Sequence, residues 1–263
     1  ASEPYGVVED AETYLRMDGE IASDPDNPAS RGQIIHLRGA LAGDLAGIDR
    51  WSYDAVAHPV AEDELATAQI TTRDIDRGDS PHFLLKEISE APRSMRKTLR
   101  GRIVERDGLL HAAVGELALP PGVATRLGDG TINRIRVIGQ GTAAIAGQSA
   151  AALIDELSDG AIDVDAVLAT ELSGFQLRLD MSDTLAIAVS QSGTTTDTNR
   201  TVDLLRSRGA AVIGIVNRRG SDLVDKADGI LFTSDGRDVE MSVASTKAFY
   251  AQVAAGALLA CAI

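Results

Sequence analysis

After residue 126 the hydrophobic positions alternate between two patterns. Short, almost wholly apolar runs predict β-strands, and stretches with helical periodicity lie between them. The predicted strands are Ile135–Ile138, Val164–Ala169, Thr184–Val189, Ala211–Val216 and Gly229–Thr233, and the predicted helices are Thr142–Leu157, Thr195–Arg208, Ser221–Ala227 and a last helix from Ser245 onward. Wholly apolar strands are typical of a parallel sheet that helices cover on both faces. Residues 126–263 are therefore predicted to form an α/β domain, a doubly wound five-stranded parallel sheet with three αβα layers and strand order 2-1-3-4-5.

Residues 1–78 show short alternating stretches that are broken by turn signals. Thr13–Met17 predicts a strand that enters a hairpin turn at Asp18–Gly19, and Gln33–Arg38 predicts a half-buried strand. The intervening Asp24–Ser30 has the composition of a loop. We expect a small β-rich region here, the closing part of a domain that begins upstream.

Residues 79–125 have a helical pattern and are interpreted as a connector. Phe83, Leu84 and Ile88 lie at helical spacing, which predicts a first helix. Pro92 is expected to begin a second, basic helix that ends before Gly101, because proline interrupts the hydrogen bonds of a helix interior.

Composition narrows the classes of function. The chain has 263 residues, of which 44% are apolar and 3% aromatic, so its core must consist of small and aliphatic side chains. The net charge of −14 disfavours nucleic acid and anionic membranes as partners, because these need a basic surface. The single cysteine, Cys261, excludes an internal disulfide and is expected to be buried in the last helix. Without a membrane-span or signal pattern, a cytoplasmic protein is the expectation.

The two ends of the chain predict an excerpt from a longer protein. The chain begins with Ala1 rather than methionine. It ends inside the Ala/Leu-rich run 250–263, which predicts a buried helix without a following stop signal.

The first candidate site is the glycine turn Gly139–Ala144, between the first predicted strand and its helix. Glycines permit positive φ and close approach of a ligand, and the helix N-terminus offers amides to an anion. The turn fits the dinucleotide fingerprint, but it also fits any tight strand-to-helix connection.

The second candidate is Ser190–Thr198, which follows the most apolar strand and places six hydroxyls and one glycine in nine residues. Hydroxyls and helix amides can hold a phosphate without a cation, whereas capping a helix needs only one or two of them. In the predicted strand order both loops lie at the switch point of the sheet, where ligands bind in such folds.

The third candidate is Glu240–Lys247, which leads into the last helix. Ser245 and Thr246 can cap that helix and also hydrogen-bond a sugar. Lys247 is a catalytic amine, a charge at the pocket, or a lysine whose ammonium reaches solvent. His36, His58, His82 and His111 are dispersed without metal-ligand spacing, so no metal site is predicted.

Two of these motifs resemble a known family. Ser190-Gln-Ser-Gly-Thr-Thr-Thr-Asp-Thr198 and Val243-Ala-Ser-Thr-Lys-Ala-Phe249 are similar to the isomerase half of the glutamine–fructose-6-phosphate amidotransferase (glucosamine-6-phosphate synthase) family. Residues 86–103 resemble the segment that joins its glutaminase and isomerase halves, and Ala1–Gly19 resembles the closing strands of the glutaminase half. The resemblance implies that residues 126–263 form the first SIS, or sugar isomerase, subdomain.

Site residues follow from that resemblance at matching positions only. The implied phosphosugar-binding residues are Gly141, Thr142, Ala143, Ser190, Gln191, Ser192, Thr195, Val243 and Ser245, with Glu240 and Lys247 as further candidates. Ala143 stands where the family usually has serine, and Thr194 where it usually has glutamate. The family's glutaminase cysteine has no counterpart at Ala1, and its catalytic histidine, glutamate and lysine belong to a second SIS subdomain beyond residue 263.

The resemblance implies an enzyme that makes glucosamine 6-phosphate from fructose 6-phosphate and glutamine. It implies a phosphosugar ligand, a homodimer, and neither metal nor organic cofactor; this chain alone is expected to bind without catalysing. Two alternatives stay open: a dinucleotide-binding module, with Glu171 near the ribose, and a non-catalytic phosphosugar-sensing SIS domain.

Overall fold

A computed structural model describes residues 13–17, 27, 30, 32–67, 75–242 and 244–263. The chain divides into two compact units, Ala1–Thr72 and Arg73–Ile263.

The described residues of the first unit contain two antiparallel strand pairs. Strand β1 (Thr13–Leu15) pairs with β4 (Leu65–Thr67), and β2 (Gln33–Leu37) pairs with β3 (Ile48–Ser52). The predicted strands are thus present. The partner that the structure shows for β1 lies some fifty residues later, with Thr13 opposite Thr67, and the hairpin turn stays a prediction. The turn residues Asp18–Gly19 lie outside the described residues.

The second unit carries the parallel sheet and its helices. Its strands are β5 (Ile103–Arg106), β6 (Leu109–Ala112), β7 (Arg134–Gly139), β8 (Asp163–Leu168), β9 (Thr184–Ser190), β10 (Ala211–Val216) and β11 (Gly229–Phe232). Its helices are α1 (Phe83–Leu99), α2 (Pro121–Gly128), α3 (Thr142–Ser158), α4 (Ala169–Glu171), α5 (Thr196–Ser207), α6 (Asp222–Lys226) and α7 (Lys247–Ala260). A π-helical turn, Leu172–Gln176, continues α4, and a 3₁₀ turn, Thr233–Gly236, follows β11.

The five strands β7 to β11 form one parallel sheet in the order β8-β7-β9-β10-β11. This is the predicted order 2-1-3-4-5, and it confirms the doubly wound α/β fold. Because β7 lies between β8 and β9, the chain changes winding direction there. The loops after β7 and β9 therefore leave the carboxyl edge of the sheet side by side.

Two apolar layers cover the sheet, and β9 shows how its residues divide between them. Leu185, Ile187 and Val189 pack on the layer that includes α3 and α7. Ala186 and Ala188 pack on the opposite layer, with α5 and α6. All seven residues of β9 are buried, which explains why its sequence is apolar without alternation.

Helix α1 corrects the prediction that Pro92 begins a new helix. The helix runs unbroken through Pro92, and its buried residues Glu87, Ala91, Ser94 and Thr98 keep helical spacing across the proline. Packing of this one face against α7 and the segment after β11 outweighs the lost hydrogen bond. The apolar face expected from spacing is instead exposed, since Leu84 and Ile88 are 40% and 52% exposed.

A β-hairpin inside the expected helical connector was missed. Strands β5 and β6 pair around Asp107 and Gly108, whose φ angles are +54° and +76°. An Asp-Gly pair between short apolar stretches is a strong hairpin signal, so the sequence did contain the information.

Helix α7 is the predicted buried terminal helix, and it approaches α3 closely. A Cβ on Gly256 would lie 2.7 Å from the Cβ of Ala150, so only glycine permits this packing. The helix ends at Ala260, and Cys261 beyond it is exposed rather than buried, as had been expected. None of the helices in the described part of the chain is long and apolar enough to cross a membrane.

An ion-pair network joins the amino ends of the central strands. Asp183 pairs with Arg178, and it lies 3.5 Å from Arg134. The hydrogen bond from Arg178 is the main reason that the pKa of Asp183 falls from 3.8 to about 2. A carboxylate with a lowered folded-state pKa stabilises the fold above its unfolded pKa, and this contribution is lost as the pH falls from about 4 to about 2.

Asp183→Asn is therefore expected to lower the unfolding free energy by about 1 kcal/mol at neutral pH. This is less than the pKa shift alone would give, because solvent screens the partly exposed ion pair. Urea unfolding at pH 7 and at steps down to pH 2 would show the difference from wild type shrinking. Asp155→Asn, at an exposed position on α3, is the control. An Asp183→Asn effect that persists undiminished at pH 2 would contradict this assignment.

Candidate functional site

The loop after β7 lies against the neighbouring strand because Gly139 has no side chain. A Cβ there would lie 3.1 Å from the carbonyl oxygen of Val189 and 3.0 Å from the amide of Ala144. Gly141, at φ +57° and ψ −131°, is the N-cap of α3 in a conformation that favours glycine. Thr142 then begins α3 at an exposed position, and the Ala143 methyl packs partly against the core.

The loop after β9 folds on itself through its own hydroxyls. The Ser190 hydroxyl is buried; it accepts a hydrogen bond from the amide of Gly193 at 3.0 Å and lies 3.2 Å from the hydroxyl of Thr195. Ser192 and Thr195 are half-buried, and Thr195 is the N-cap residue of α5. Ser190 thus shapes the loop from within, whereas Ser192 and Thr195 retain contact with solvent.

Neighbouring elements hold this loop in place. The carbonyl of Gln191 accepts hydrogen bonds from the amides of Asn217 and Arg218 at 3.1 and 3.3 Å. The carbonyl of Gly193 accepts from the amide of Leu223 and from the side chain of Asn199, both at 3.0 Å. Sequence reasoning missed Asn199, because its partner atoms are main-chain carbonyls, which leave no signal in the sequence.

Gly193 is the position where the loop and the turn before α6 meet. Its φ is +68°, and a Cβ there would lie 2.1 Å from the hydroxyl oxygen of Ser221. Ser221 is the N-cap of α6 as predicted, but its hydroxyl donates to the carbonyl of Arg218 instead of capping the helix. The close contact requires glycine at 193.

The third motif begins with a carboxylate that caps α7. Glu240 accepts hydrogen bonds from the amides of Thr246 and Ala248 at 2.8 and 3.1 Å, and from the hydroxyl of Ser245 at 3.2 Å. Thr246 is the N-cap residue of α7, but its hydroxyl and that of Ser245 donate to Glu240 instead of capping the helix. A carboxylate at a helix N-terminus also interacts favourably with the helix dipole. Val243 lies outside the described residues.

Lys247 is buried and paired, so its ammonium does not reach solvent as one interpretation expected. The residue is 3% exposed, and its Nζ lies 2.6 Å from a carboxylate oxygen of Glu90 on α1. The ion pair joins α1 to the first turn of α7 and leaves the amine engaged in structure.

Helix α1 also supplies a buried carboxylate that sequence reasoning did not identify. Glu87 is 1% exposed and accepts hydrogen bonds from the amides of Met241 and Ser242 at 2.6 and 3.3 Å, and from the Ser242 hydroxyl. It thereby fixes the main chain between Glu240 and the start of α7.

The turn after β11 is strained and is held by α1. Ser234 and Asp235 have φ angles of +46° and +61°, which are uncommon for residues with a Cβ. The Ser234 amide donates to the Thr98 hydroxyl at 3.0 Å, and the Ser234 hydroxyl donates to the Ser94 carbonyl at 2.9 Å. These bonds hold a conformation that the isolated turn would disfavour.

Asp238 adds a partly buried charge to this contact between the turn and α1. Burial alone would raise the pKa of Asp238, but hydrogen bonds from Lys97 at 2.8 Å and from the Ser94 hydroxyl lower it below its usual value. The carboxylate therefore stays ionised while it binds α1.

The structure thus brings two of the predicted loops together, and both consist of uncharged residues. Gly141–Ala143 and Ser190–Thr195 leave the ends of the paired strands β7 and β9, and both lead into helix N-termini. They offer hydroxyls and amides, which suit an anion. The described residues hold no group of three or more His, Cys, Asp or Glu side chains arranged to bind a metal.

A cleft of about 500 Å³ lies at the opposite, amino edge of the sheet. Arg126, Arg206 and Asp228 line it, but Arg206 pairs with Asp228 at 2.7 Å and Arg126 donates to the Ser182 carbonyl. The cleft has the shape of a pocket, but its charged side chains already pair with groups of the protein. The hydroxyls and amides at the carboxyl edge therefore make that edge the better candidate for a binding site.

Comparison with known proteins identifies relatives. The family model of the SIS domain matches residues 131–262. Glutamine–fructose-6-phosphate aminotransferase (isomerizing) from Symbiobacterium thermophilum is 40% identical over 70% of this chain and 28% of its own length. The Arabidopsis thaliana enzyme of that name is 32% identical over 100% of this chain and 36% of its own length. The chain thus spans about a third of these relatives, and their names confirm the resemblance drawn from the motifs.

Solved structures agree on the fold. The C-terminal domain of glucosamine-fructose-6-phosphate aminotransferase from Francisella tularensis matches with a TM-score of 0.58 and 26% identity, over 70% of this chain and 48% of that chain. The matched architecture is the parallel sheet and its helices.

Gly193→Ala tests the packing of the second loop. We expect it to lower the unfolding free energy by about 2–4 kcal/mol, because the new Cβ meets Ser221 at a positive φ. Gly130→Ala is the matched control, since φ there is +77° and a Cβ meets open space; it should cost about 1 kcal/mol. Equal losses in thermal or urea unfolding would mean that the contact with Ser221 is not what requires glycine.

Proposed function

Because the chain belongs to the SIS domain family, we propose that it is the phosphosugar-binding part of an enzyme that makes glucosamine 6-phosphate from fructose 6-phosphate and glutamine. The observation that carries this proposal is the pairing of two hydroxyl- and amide-rich loops at the switch point of the sheet. In the same proposal, residues 1–78 are the end of a glutaminase domain, 79–125 are the connector, and the enzyme acts as a homodimer.

The phosphate is proposed to lie between the N-termini of α3 and α5. Ser192 and Thr195 donate hydroxyl hydrogen bonds from one side, with Gln191 beside them, and Thr142 donates from the other. The first amides of both helices point to this carboxyl edge, where their dipoles favour negative charge. Each hydrogen bond to a charged phosphate oxygen contributes about 1.5–3 kcal/mol, so several neutral donors can replace a cation.

The sugar is proposed to extend toward Ser245; Val243, which the resemblance also assigns to the sugar, lies outside the described residues. The Ser245 hydroxyl gives its proton to Glu240, so its oxygen remains as an acceptor for a sugar hydroxyl. Glu240 therefore acts by orienting Ser245 and capping α7.

We further propose that this chain binds its ligand without isomerising it. Isomerisation needs a base that moves a proton between adjacent carbons. The two ionisable residues of the third motif are engaged, Glu240 with helix amides and Lys247 with Glu90. A competent base is then supplied by a second SIS subdomain of the whole enzyme.

The dinucleotide-binding alternative finds less support. The commonest dinucleotide fold has the strand order 3-2-1-4-5-6, whereas here β8 is an edge strand of the parallel sheet. Calorimetry with NAD and with fructose 6-phosphate separates the two proposals. A phosphosugar sensor shares the binding site and would differ by lacking turnover in the complete protein.

Ser192→Ala should weaken binding of fructose 6-phosphate by about ten- to a hundredfold, because it removes a donor to a charged group. Isothermal titration measures the dissociation constant. Ser158→Ala, at the far end of α3 from the loops, is the matched control and should bind as wild type does. Unchanged affinity in a folded Ser192→Ala variant would count against this site.

Purified chain should show no turnover of fructose 6-phosphate, with or without ammonia. Coupled assays for glucose 6-phosphate and glucosamine 6-phosphate provide the measurement. Turnover that disappears in Glu240→Gln or in Lys247→Met would overturn the proposal and place catalysis within this chain.

A further inference from the structure

We propose that Thr194 is a positioning residue that fixes the Ser192 hydroxyl as a donor and thereby makes the site selective for the dianionic form of a phosphate ester. This inference rests on the proposed function, because it concerns how the same site distinguishes ligands. Thr194 lies in the second loop but is not among the residues that the family resemblance assigns to the ligand.

The geometry assigns the direction of the hydrogen bonds. Ser192 Oγ accepts from the Thr194 amide at 3.2 Å and from the Thr194 hydroxyl at 3.0 Å. A serine oxygen has two lone pairs and one proton. Since both lone pairs are engaged by Thr194, the hydroxyl interacts with a ligand by donating.

The surrounding contacts explain why Thr194 can hold this position. The preceding residue, Gly193, is fixed by Leu223 and Asn199 through its carbonyl and by Ser221 through close packing. The Asn199 side chain also donates to the Thr195 carbonyl at 3.2 Å, on the other side of Thr194. With its neighbours bonded on both sides, Thr194 presents its hydroxyl to Ser192 in a preorganised geometry.

A fixed donor distinguishes the protonation states of the ligand. A phosphate dianion has only acceptor oxygens, whereas the monoanion carries a P–OH that must itself donate. The second pKa of a phosphate ester is about 6, so the two forms exchange near neutral pH. The donation from Thr194 also polarises the Ser192 hydroxyl, because hydrogen bonds in a chain strengthen one another.

Thr194→Val removes the hydroxyl and keeps the shape of the side chain, whereas Thr194→Ser keeps the hydroxyl. We expect Thr194→Val to weaken binding of fructose 6-phosphate about three- to tenfold at pH 7.5. We also expect a flatter pH dependence between pH 5 and pH 8, because a Ser192 hydroxyl with a vacant lone pair can accept from the monoanion. Thr194→Ser should restore both the affinity and the pH profile. Thr125→Val, at an exposed position on α2 and away from both loops, is the matched control.

Isothermal titration across that pH range gives outcomes that separate the two proposals. Wild-type protein that fails to bind fructose 6-phosphate contradicts the proposed function. Wild-type protein that binds, with Thr194→Val unchanged in affinity and pH profile, contradicts only the role of Thr194. A Thr194→Val variant that loses affinity equally at every pH also overturns the selectivity, since a general distortion of the loop would act in this way. If Thr194→Val does not fold, Thr194→Ala provides the same comparison.

Discussion

The buried carboxylate of Glu87 is the interaction on which the arrangement of the third motif depends. It is taken out of water by α1 and compensated by the main-chain amides of Met241 and Ser242. Loss of these amide partners with α1 still packed in place would leave a buried carboxylate without hydrogen bonds, which is strongly unfavourable. The segment after β11 therefore has its conformation fixed by a helix that precedes the sheet in sequence.

The same principle accounts for the other charges near this edge. Glu240 compensates the amides at the start of α7, Lys247 compensates Glu90, and Lys97 compensates Asp238. Among them, Glu240 and Lys247 were candidate functional residues in the sequence, because they are ionisable and lie in the third motif. In the fold they maintain the scaffold, and the loops of the candidate site are left with neutral donors.

Sequence reasoning succeeded where the signal is local or periodic. The apolar runs of β7 to β11 and the glycines of the two loops predicted the sheet order and the place where the loops meet. It failed where a long-range partner decides the outcome. Pro92 stays within α1 because the buried face continues past it, and Glu87 meets Met241 across 154 residues of sequence. A stretch of sequence short enough to show helical or strand periodicity cannot contain both residues of such a long-range contact.

In the proposed site, the directions of two serine hydroxyls define a polarity. Ser192 receives two hydrogen bonds from Thr194, so it is left to donate, whereas Ser245 gives its proton to Glu240, so its oxygen is left to accept. A ligand that matches both has an acceptor-only group at one end and hydroxyl donors at the other. A sugar phosphate meets this requirement, and a ligand with donors at both ends does not. In the proposed function, these neutral groups would set the orientation of the ligand as well as a preference for an anion.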